Sequence, residues 1–260
     1  MRVVIAEHAG FCYGVRTAVE KAFSVAREGP CWTLGSLIHN REVLARLEAA
    51  GVHVLEDPGS LAGGTVIIRS HGAAPETLKE LERRGVRIVD ATCPNVARVH
   101  RLVREYSQGG KAVIIAGRAE HPEVKATAGW CQGPVYVVGS AEEAERIDHL
   151  PGALVVAQTT LTQAKWDAIV QALVGRVDAL RVENTICAAT AQRQREAERL
   201  CQEADVVLVV GGRESANTLA LYETCRARCK RVFFLESAAD LPREGIFASD
   251  YIAIAAGAST

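Results

Sequence analysis

Residues 87–96 read R-I-V-D-A-T-C-P-N-V, and this stretch decides the fold that the sequence predicts. The β-branched residues Ile88 and Val89 precede Cys93, and Pro94 follows this cysteine directly. The run predicts a buried strand, and a proline directly behind it favours the first turn of a helix. Because open α/β sheets bind ligands at the carboxyl ends of their strands, we expect the thiol of Cys93 to lie at a ligand site.

The same strand-to-helix junction occurs twice more in the chain. A predicted strand at residues 3–6 leads through a short loop to Cys12, and a second one at residues 182–186 leads to Cys187. Each cysteine is followed by a stretch with helical periodicity. One cysteine at such a place would be a packing residue, but three of them indicate a shared site.

The composition favours parallel sheets covered by helices. The chain has 260 residues, of which 48% are hydrophobic and 5% aromatic, a texture typical of such sheets. The formal net charge of −1 provides no overall field that would attract nucleic acid or a membrane surface. Residues 1–8 lack the apolar core of a signal peptide, and no apolar run is long enough to span a bilayer. We expect a cytoplasmic protein without nucleic acid or membrane partners.

Apolar strands with a similar ending recur in three parts of the chain. The runs at residues 66–68, 113–115 and 207–210 each end in a small, polar, glycine-containing loop before a predicted helix. Such loops expose backbone N–H groups and favour bound anions. The sequence therefore predicts an α/β fold of three small units around a shared centre. The units are residues 14–93, 94–187 and 188–260, with the N-terminal strand in residues 1–13 completing the third.

Of the eight cysteines in the chain, five have no special context. A chain of this length in a reducing cytosol does not need disulfides, and the sequence has no C-x-x-C pair. We therefore expect the following cysteines to be packing residues: Cys31, Cys131, Cys201, Cys225 and Cys229.

The three junction cysteines are compatible with more than one site. Three thiolates could hold a zinc ion whose fourth position is open for catalysis. They could equally hold a [4Fe–4S] cluster in which one iron is free for substrate. Cys12, Cys93 and Cys187 could also be three unrelated buried thiols, and spacing alone leaves these alternatives open.

Polar residues at predicted strand ends add to the cysteines. Glu123 is either a general acid that protonates a leaving group or a first-turn acid that stabilises a helix. Thr159 either binds a substrate hydroxyl or caps the next helix. Further donors come from all three units and suit an oxyanion such as a diphosphate: His39, His71, His121, Ser215, Asn217 and Ser259.

An ordered set of motifs resembles the 4-hydroxy-3-methylbut-2-enyl diphosphate reductase family over residues 2–260. Each motif alone is common, whereas the set in this order is highly specific. The motifs are A-G-F-C-Y-G-V at 9–15, I-H-N-R at 38–41, S-H-G at 70–72, D-A-T-C-P at 90–94, H-P-E-V at 121–124, Q-T-T at 158–160 and G-A-S at 257–259.

The resemblance implies a trefoil of three α/β domains around a [4Fe–4S] cluster held by Cys12, Cys93 and Cys187. It implies an iron–sulfur oxidoreductase that removes an allylic hydroxyl from its diphosphate substrate. The products would be isopentenyl diphosphate and dimethylallyl diphosphate, formed in the last step of the non-mevalonate isoprenoid pathway. The electron donor would be a small redox protein such as ferredoxin or flavodoxin.

The resemblance also implies roles for single residues. Glu123 matches the proton donor of the family, and Thr159 matches the residue that assists it. The diphosphate-binding positions of the family match His39, His71, His121, Ser215, Asn217 and Ser259.

Two departures from the family pattern bear on diphosphate binding. Ala216 stands between Ser215 and Asn217, where the family usually has a second hydroxyl. The chain ends at Thr260, where relatives continue with a proline and a helix, so we expect the segment that carries Ser259 to be loosely held. Both features predict weaker diphosphate binding.

Two other classes of function fit the residues. One is a non-catalytic iron–sulfur redox sensor that binds an anionic effector. The other is a zinc-dependent hydrolase of a phosphorylated substrate.

Overall fold

The computed structural model describes residues 2–242 and 244–260. The chain forms three separate four-stranded sheets, all with parallel pairing and flanked by helices, which confirms the predicted α/β class. Among the residues described, no helix is both long and apolar enough to cross a bilayer.

The N-terminal strand β1 (Arg2–Ile5) does not belong to the first sheet. That sheet is built from the elements that follow: α1 (Tyr13–Ala26), β2 (Cys31–Leu34), α2 (Arg41–Ala49), β3 (Val52–Leu55), β4 (Thr65–Ile68), α3 (Pro75–Arg83) and β5 (Arg87–Asp90). Its strand order is β3-β2-β4-β5, so that β5 lies at an edge.

The second sheet repeats this plan. Its elements are α4 (Pro94–Tyr106), β6 (Ala112–Ala116), α5 (Pro122–Gly129), β7 (Val135–Val138), α6 (Ala141–Ala144), β8 (Leu150–Ala157), α7 (Gln163–Leu173) and β9 (Val177–Glu183). Its strand order is β7-β6-β8-β9, and β9 lies at an edge.

The third sheet joins the two ends of the chain. Its elements are α8 (Ala188–Glu203), β10 (Val206–Val210), α9 (Ala216–Arg226), β11 (Val232–Leu235) and β12 (Tyr251–Ala256). Strand β1 pairs in parallel with β12, which gives the order β1-β12-β10-β11 and leaves β1 at an edge. The three sheets correspond in sequence to the three predicted units, whose boundaries stay a prediction.

Strand β6 illustrates why these sheets form. All five of its residues are buried, and successive side chains point to opposite faces of a strand. Ile114 packs into one hydrophobic cluster with residues of α7, whereas Ile115 packs into another with residues of α4. A strand covered on both faces needs a continuous apolar run, which is the pattern that the sequence has here.

Some element boundaries differ from the sequence prediction. The strand expected at residues 31–38 ends at Leu34, because Gly35 adopts a φ of +67° and turns the chain. The helix expected at residues 141–147 ends at Ala144. The periodicity did not delimit α5, because this short helix lacks a regular apolar stripe.

The five cysteines without special context pack as expected. Cys31, Cys201 and Cys225 lie inside hydrophobic clusters, and Cys131 and Cys229 pack against such clusters.

Candidate functional site

Three helix N-termini place three cysteines at one cavity. Cys12, Cys93 and Cys187 are the N-cap residues of α1, α4 and α8. Each cysteine follows an edge strand of one sheet, namely β1, β5 and β9. All three side chains are partly exposed and line the same cavity. The structure therefore brings together the junction cysteines that lie far apart in sequence.

Two contacts connect the surroundings of the three thiols. A Cβ atom at Gly14 would lie only 2.7 Å from Sγ of Cys93, so a glycine is needed for the first turn of α1 to approach this thiol. Nδ2 of Asn95, in the first turn of α4, donates a hydrogen bond to Sγ of Cys187 at 3.1 Å. Burial raises the pKa of Cys93, and the nearby Cys187 and Cys12 add to this rise.

The three thiols bear on the metal sites that the sequence left open. A zinc ion with Zn–S bonds of about 2.3 Å holds its thiolates roughly 3.8 Å apart. Within residues 2–242 and 244–260, the three sulfur atoms do not form a group that lies within 4.8 Å, as they would around a single ion. The chemistry of three thiols also suits an iron–sulfur cluster, whose irons thiolates hold.

Glu123 lies at the first turn of α5, buried beside Thr159. One carboxylate oxygen accepts a hydrogen bond from the backbone N–H of Thr159 at 2.6 Å, and the other accepts one from its hydroxyl at 2.7 Å. Burial raises the pKa of Glu123, and the two bonds from Thr159 partly oppose this rise. A raised pKa suits a carboxyl group that must donate a proton near neutral pH.

Thr159 also connects the acid to the cysteines. Its carbonyl oxygen accepts a hydrogen bond from the backbone N–H of Cys187 at 2.9 Å. Thr159 therefore positions both the carboxyl group of Glu123 and the loop that carries one thiol. Its neighbour Thr162, and not Thr159, caps the next helix α7.

His39, His71 and His121 all line the cavity. The rings of His71 and His121 meet edge to face, with their centroids 5.1 Å apart. Nδ1 of His121 accepts a hydrogen bond from the backbone N–H of Glu123 at 3.2 Å. In the neutral ring the proton is therefore assigned to Nε2, which can donate to a ligand.

The charge state of these histidines corrects one expectation from the sequence, which treated them as imidazolium donors. Burial lowers the pKa of His121 to about 4, and the nearby basic groups of Arg118, His39 and Arg69 act in the same direction. Burial also lowers the pKa of His39, and that of His71 well below its usual range. Without an anion in the cavity the rings are therefore neutral at neutral pH.

The hydroxyl and amide donors lie at the N-terminus of α9 and in the last loop. Ser215 is the N-cap residue of α9, and its Oγ accepts a hydrogen bond from the backbone N–H of Thr218 at 3.3 Å. Oδ1 of Asn217 accepts one from the hydroxyl of Thr190 at 3.4 Å, which orients the amide. Nδ2 of Asn217 and Oγ of Ser259 are buried and have no hydrogen-bond partner among the described residues.

Unpaired buried donors are unusual in proteins, because leaving one unsatisfied costs about 1–3 kcal/mol. In this cavity they come from separate parts of the chain, and Nδ1 of His71 is a further buried atom without a partner in the structure's described ranges. Together with the free N–H groups at the first turn of α9, they form a set of donors suited to an anion.

The last residues of the chain are docked against the third sheet. The backbone N–H of Gly257 donates to the carbonyl oxygen of Val210 at 2.9 Å, and the hydroxyl of Thr260 donates to the same oxygen at 3.1 Å. The backbone N–H of Cys12 donates to the carbonyl oxygen of Ala258 at 3.1 Å. The expectation of a loosely held segment is therefore wrong, because these bonds anchor it. Its effect on diphosphate binding stays a prediction.

Sequence reasoning missed several residues of the site. Gly14, Asn95 and Thr190 make the contacts described above, and Arg193 lines the cavity close to the cysteines. Gly14 and Asn95 lie two residues after predicted ligands, which is the signal that could have identified them. Arg193 lies further along α8, where only the helix geometry shows that it faces the cavity.

Comparisons with known proteins agree on one family. The family described as LytB protein matches residues 3–260. Over its full length the chain is 41% identical to a 4-hydroxy-3-methylbut-2-enyl diphosphate reductase from Caldanaerobacter subterraneus subsp. tengcongensis, of which it covers 92%. It is likewise 42% identical to a protein with the same name from Geobacter sulfurreducens, of which it covers 93%.

Solved structures lead to the same family. All of this chain aligns with 84% of the E-1-hydroxy-2-methyl-but-2-enyl-4-diphosphate reductase from Plasmodium falciparum, with a TM-score of 0.94 and 26% identity. A structure described as (E)-4-hydroxy-3-methyl-but-2-enyl diphosphate reductase, the terminal enzyme of the non-mevalonate pathway, gives a TM-score of 0.70 and 37% identity, covering all of this chain and 95% of that one. The resemblance inferred from the motifs is thereby confirmed, and the chain belongs to the LytB protein family.

Proposed function

We propose that this chain is a 4-hydroxy-3-methylbut-2-enyl diphosphate reductase, as its relatives are named. The reaction replaces the allylic C–O bond of the substrate by a C–H bond, consumes two electrons and two protons, and releases water. Its products are isopentenyl diphosphate and dimethylallyl diphosphate. The observation that carries the proposal is one cavity lined both by three thiols from three units and by buried donors that have no partner among the described residues.

The thiols of Cys12, Cys93 and Cys187 would hold a [4Fe–4S] cluster. When bound, such a cluster supplies electrons one at a time and an open iron that acts as a Lewis acid towards the hydroxyl oxygen. The three ligands come from different units, and each is the N-cap residue of a helix.

The polar donors of the same cavity would bind the diphosphate. Nε2 of His121, the amide of Asn217 and the hydroxyls of Ser215 and Ser259 would donate to its oxygens, as would the free N–H groups of α9. His39 and His71 would complete the set. An anion in this cavity would raise the pKa of the three imidazoles, so that binding takes up protons.

Glu123 would deliver a proton to the departing hydroxyl. Its buried carboxyl group has a raised pKa, and the two bonds from Thr159 fix both of its oxygens. Thr159 would thereby hold the proton donor at a fixed place relative to the loop of Cys187. The buried surroundings of the acid limit competing protonation by water.

The electron donor would be a small redox protein such as ferredoxin or flavodoxin, acting in the cytoplasm. The proposed activity also excludes the two other functions considered from the sequence. A redox sensor would bind substrate without turnover, and a zinc hydrolase would release phosphate instead of an olefinic diphosphate.

The test is an assay on protein purified without oxygen and reconstituted with iron and sulfide. We expect broad visible absorption, about four irons per chain, and turnover of the allylic diphosphate with a reduced dye. A cluster without turnover would favour the sensor and contradict the proposal. Colourless protein with bound zinc and released phosphate would favour the hydrolase and also contradict it.

A further inference from the structure

Arg193 is a buried cation in the wall of the cavity that the three cysteines also line. It belongs to α8, lines the cavity together with Cys12 and Cys187, and is 7% exposed. Arginine is almost never fully buried without partners, because removing its charge from water is costly. The contacts of its guanidinium group therefore indicate the function of the buried charge.

The guanidinium joins α8 to the loop that leads to Cys12. Nη2 donates a hydrogen bond to the carbonyl oxygen of Gly10 at 2.7 Å, and Nη1 donates one to the carbonyl oxygen of Ala189 at 3.1 Å. Gly10 precedes Cys12 by two residues, whereas Ala189 belongs to α8, whose N-cap residue is Cys187. The bond to Gly10 therefore ties the helix that begins at one thiol to the loop that carries another.

The third nitrogen of Arg193 has no such partner. Nε is buried and makes no hydrogen bond with any residue that the structure describes. Glu196, one turn further along α8, does not take this place. Its carboxylate oxygens accept hydrogen bonds from the backbone N–H groups of Glu7 and His8 and contact the ring of His8 at 2.9 Å.

Cys12 and Cys187 are groups near the guanidinium that can carry a negative charge. Burial lowers the pKa of Arg193, and Cys12 and then Cys187 oppose this effect more strongly than Glu196 does. Arginine keeps its proton in such surroundings. A bridge between two carbonyl oxygens needs donors but no net charge. The buried charge therefore suits a negatively charged group between the cysteines.

We propose that Arg193 is a positioning residue of the cluster site that also favours the reduced state of the bound cluster. The inference rests on the proposed function, since it needs the cluster at these cysteines. The guanidinium ties α8, whose N-cap residue is Cys187, to the loop that leads to Cys12. Its fixed positive charge stabilises the additional negative charge that the site acquires when an external donor adds one electron. The midpoint potential of the cluster is therefore higher with Arg193 than without it.

The experiment compares reconstituted wild-type protein with Arg193→Gln, Arg193→Lys and the control Arg195→Gln. Arg195 lies on the same helix but is exposed. Reductive titration with dithionite, followed by visible absorption and electron paramagnetic resonance, gives the midpoint potential, and iron analysis gives the occupancy. We expect Arg193→Gln to lower the equilibrium constant for reduction of the cluster at least about tenfold. This corresponds to a fall of about 59 mV in the midpoint potential for one electron. Arg195→Gln should match the wild type.

The lysine variant separates charge from shape. At neutral pH the equilibrium constant for reduction of the cluster in Arg193→Lys should lie within about threefold of the wild-type constant, because lysine keeps the positive charge. As the pH rises, the introduced lysine loses its proton, so the potential should fall relative to the wild type at the same pH. If circular dichroism shows that Arg193→Gln does not fold, the pH dependence of the potential of Arg193→Lys tests the role of the charge.

Three outcomes would overturn the inference. They are a potential of Arg193→Gln equal to the wild-type value, an equal shift in the Gln and Lys variants at neutral pH, and a lysine variant whose difference from the wild type does not depend on pH. A wild-type protein that binds no iron–sulfur cluster would instead overturn the proposed function. Iron analysis of the wild type therefore distinguishes the two failures.

Discussion

Two sets of residues in the cavity, the thiols and the polar donors, are placed differently although helix N-termini contribute to both. The three thiols are partly exposed, and backbone geometry places each of them as an N-cap residue. Among the donors, Asn217 and Ser259 are buried, and each keeps a polar atom without a partner among the described residues.

This difference bears on how each set is placed. Each thiol is placed by a strand-to-helix junction of the fold, where its cysteine is the N-cap residue. A buried donor without a partner destabilises the free protein, and a bound ligand would satisfy it. The thiols therefore depend on the junctions of the fold, and we expect the donors to depend on a ligand. Five variants or conditions test this comparison.

The largest effect is expected from the cysteines. Cys93→Ser should lose cluster iron and reduce turnover to background, because a serine hydroxyl is not a comparable soft ligand for iron. Cys12→Ser and Cys187→Ser should behave in the same way. Iron analysis and the dye-coupled assay measure both properties. The control Cys131→Ser should keep both, since this thiol packs outside the cavity. Full iron and turnover in Cys93→Ser would exclude the three-cysteine site.

The next largest effect is expected from the buried acid that lines the cavity. Glu123→Gln should keep the cluster and bind substrate but turn over about 10²–10⁴-fold more slowly, the usual contribution of general acid catalysis. Single-turnover kinetics with preformed reduced enzyme measure this step. The exposed Glu120→Gln on the same loop is the matched control. If Glu123→Gln turns over within a factor of a few of the wild type, Glu123 only stabilises α5.

A smaller effect is expected from one of the polar donors. Ser259→Ala should raise the KM about 10-fold to 100-fold, because a hydrogen bond to a charged group contributes about 1.5–3 kcal/mol. The free variant should unfold at the same or a higher temperature, since its buried hydroxyl has no partner in the described part of the chain.

Ser237→Ala serves as the control for this variant. Ser237 caps a short surface helix, so its loss should lower the Tm slightly and leave the KM unchanged. A destabilised Ser259→Ala with an unchanged KM would mean that the hydroxyl has a structural partner instead of a ligand.

The pH dependence of stability tests the burial of the imidazoles. The folded protein holds the pKa of His121 and His100 at about 4, compared with 6.5 for an ordinary histidine. Between pH 6.5 and 4 the unfolded chain therefore binds protons that the folded protein does not. The free energy of unfolding contributed by these groups is present above pH 6.5 and is lost as the pH falls towards 4.

Thermal unfolding from pH 7 to pH 4 measures this loss. The Tm of His121→Gln should fall less steeply with decreasing pH than the Tm of the wild type. The Tm of His149→Gln, at an exposed histidine, should follow the wild-type curve. Inorganic diphosphate should reduce the loss in the wild type, because an anion favours the protonated rings. Identical curves for all three proteins, with and without diphosphate, would show that His121 is not held neutral by burial.

The smallest effect is expected from Ala216. Ala216→Ser introduces the second hydroxyl that the family pattern has at this position, beside the N-cap residue of α9. A further hydrogen bond contributes about 0.5–1.5 kcal/mol, so the KM should fall about twofold to tenfold. Steady-state kinetics measure this change. An unchanged or raised KM would mean that the cavity of this chain does not use the additional donor.

Local sequence signals were sufficient for most of the fold. Apolar runs such as Ala112–Ala116 and Val206–Val210 predicted their strands, because a strand buried on both faces must be apolar throughout. The helix Ala188–Glu203 began directly after a cysteine junction, as predicted. Boundaries failed where a single residue changed the backbone, as at Gly35, or where apolar periodicity was weak, as in α5.

The sequence by itself therefore determined the class of the fold, the strand-to-helix junctions and the family, because these depend on local composition and on ordered motifs. Tertiary structure alone decided which neighbours those junctions meet. The approach of Gly14 to Cys93, the bonds between Thr159 and Glu123, and the bridge made by Arg193 all join residues distant in sequence. The neutral state of the buried histidines was also decided there, because the pKa of a side chain depends on burial and on nearby charges that only the folded chain brings together.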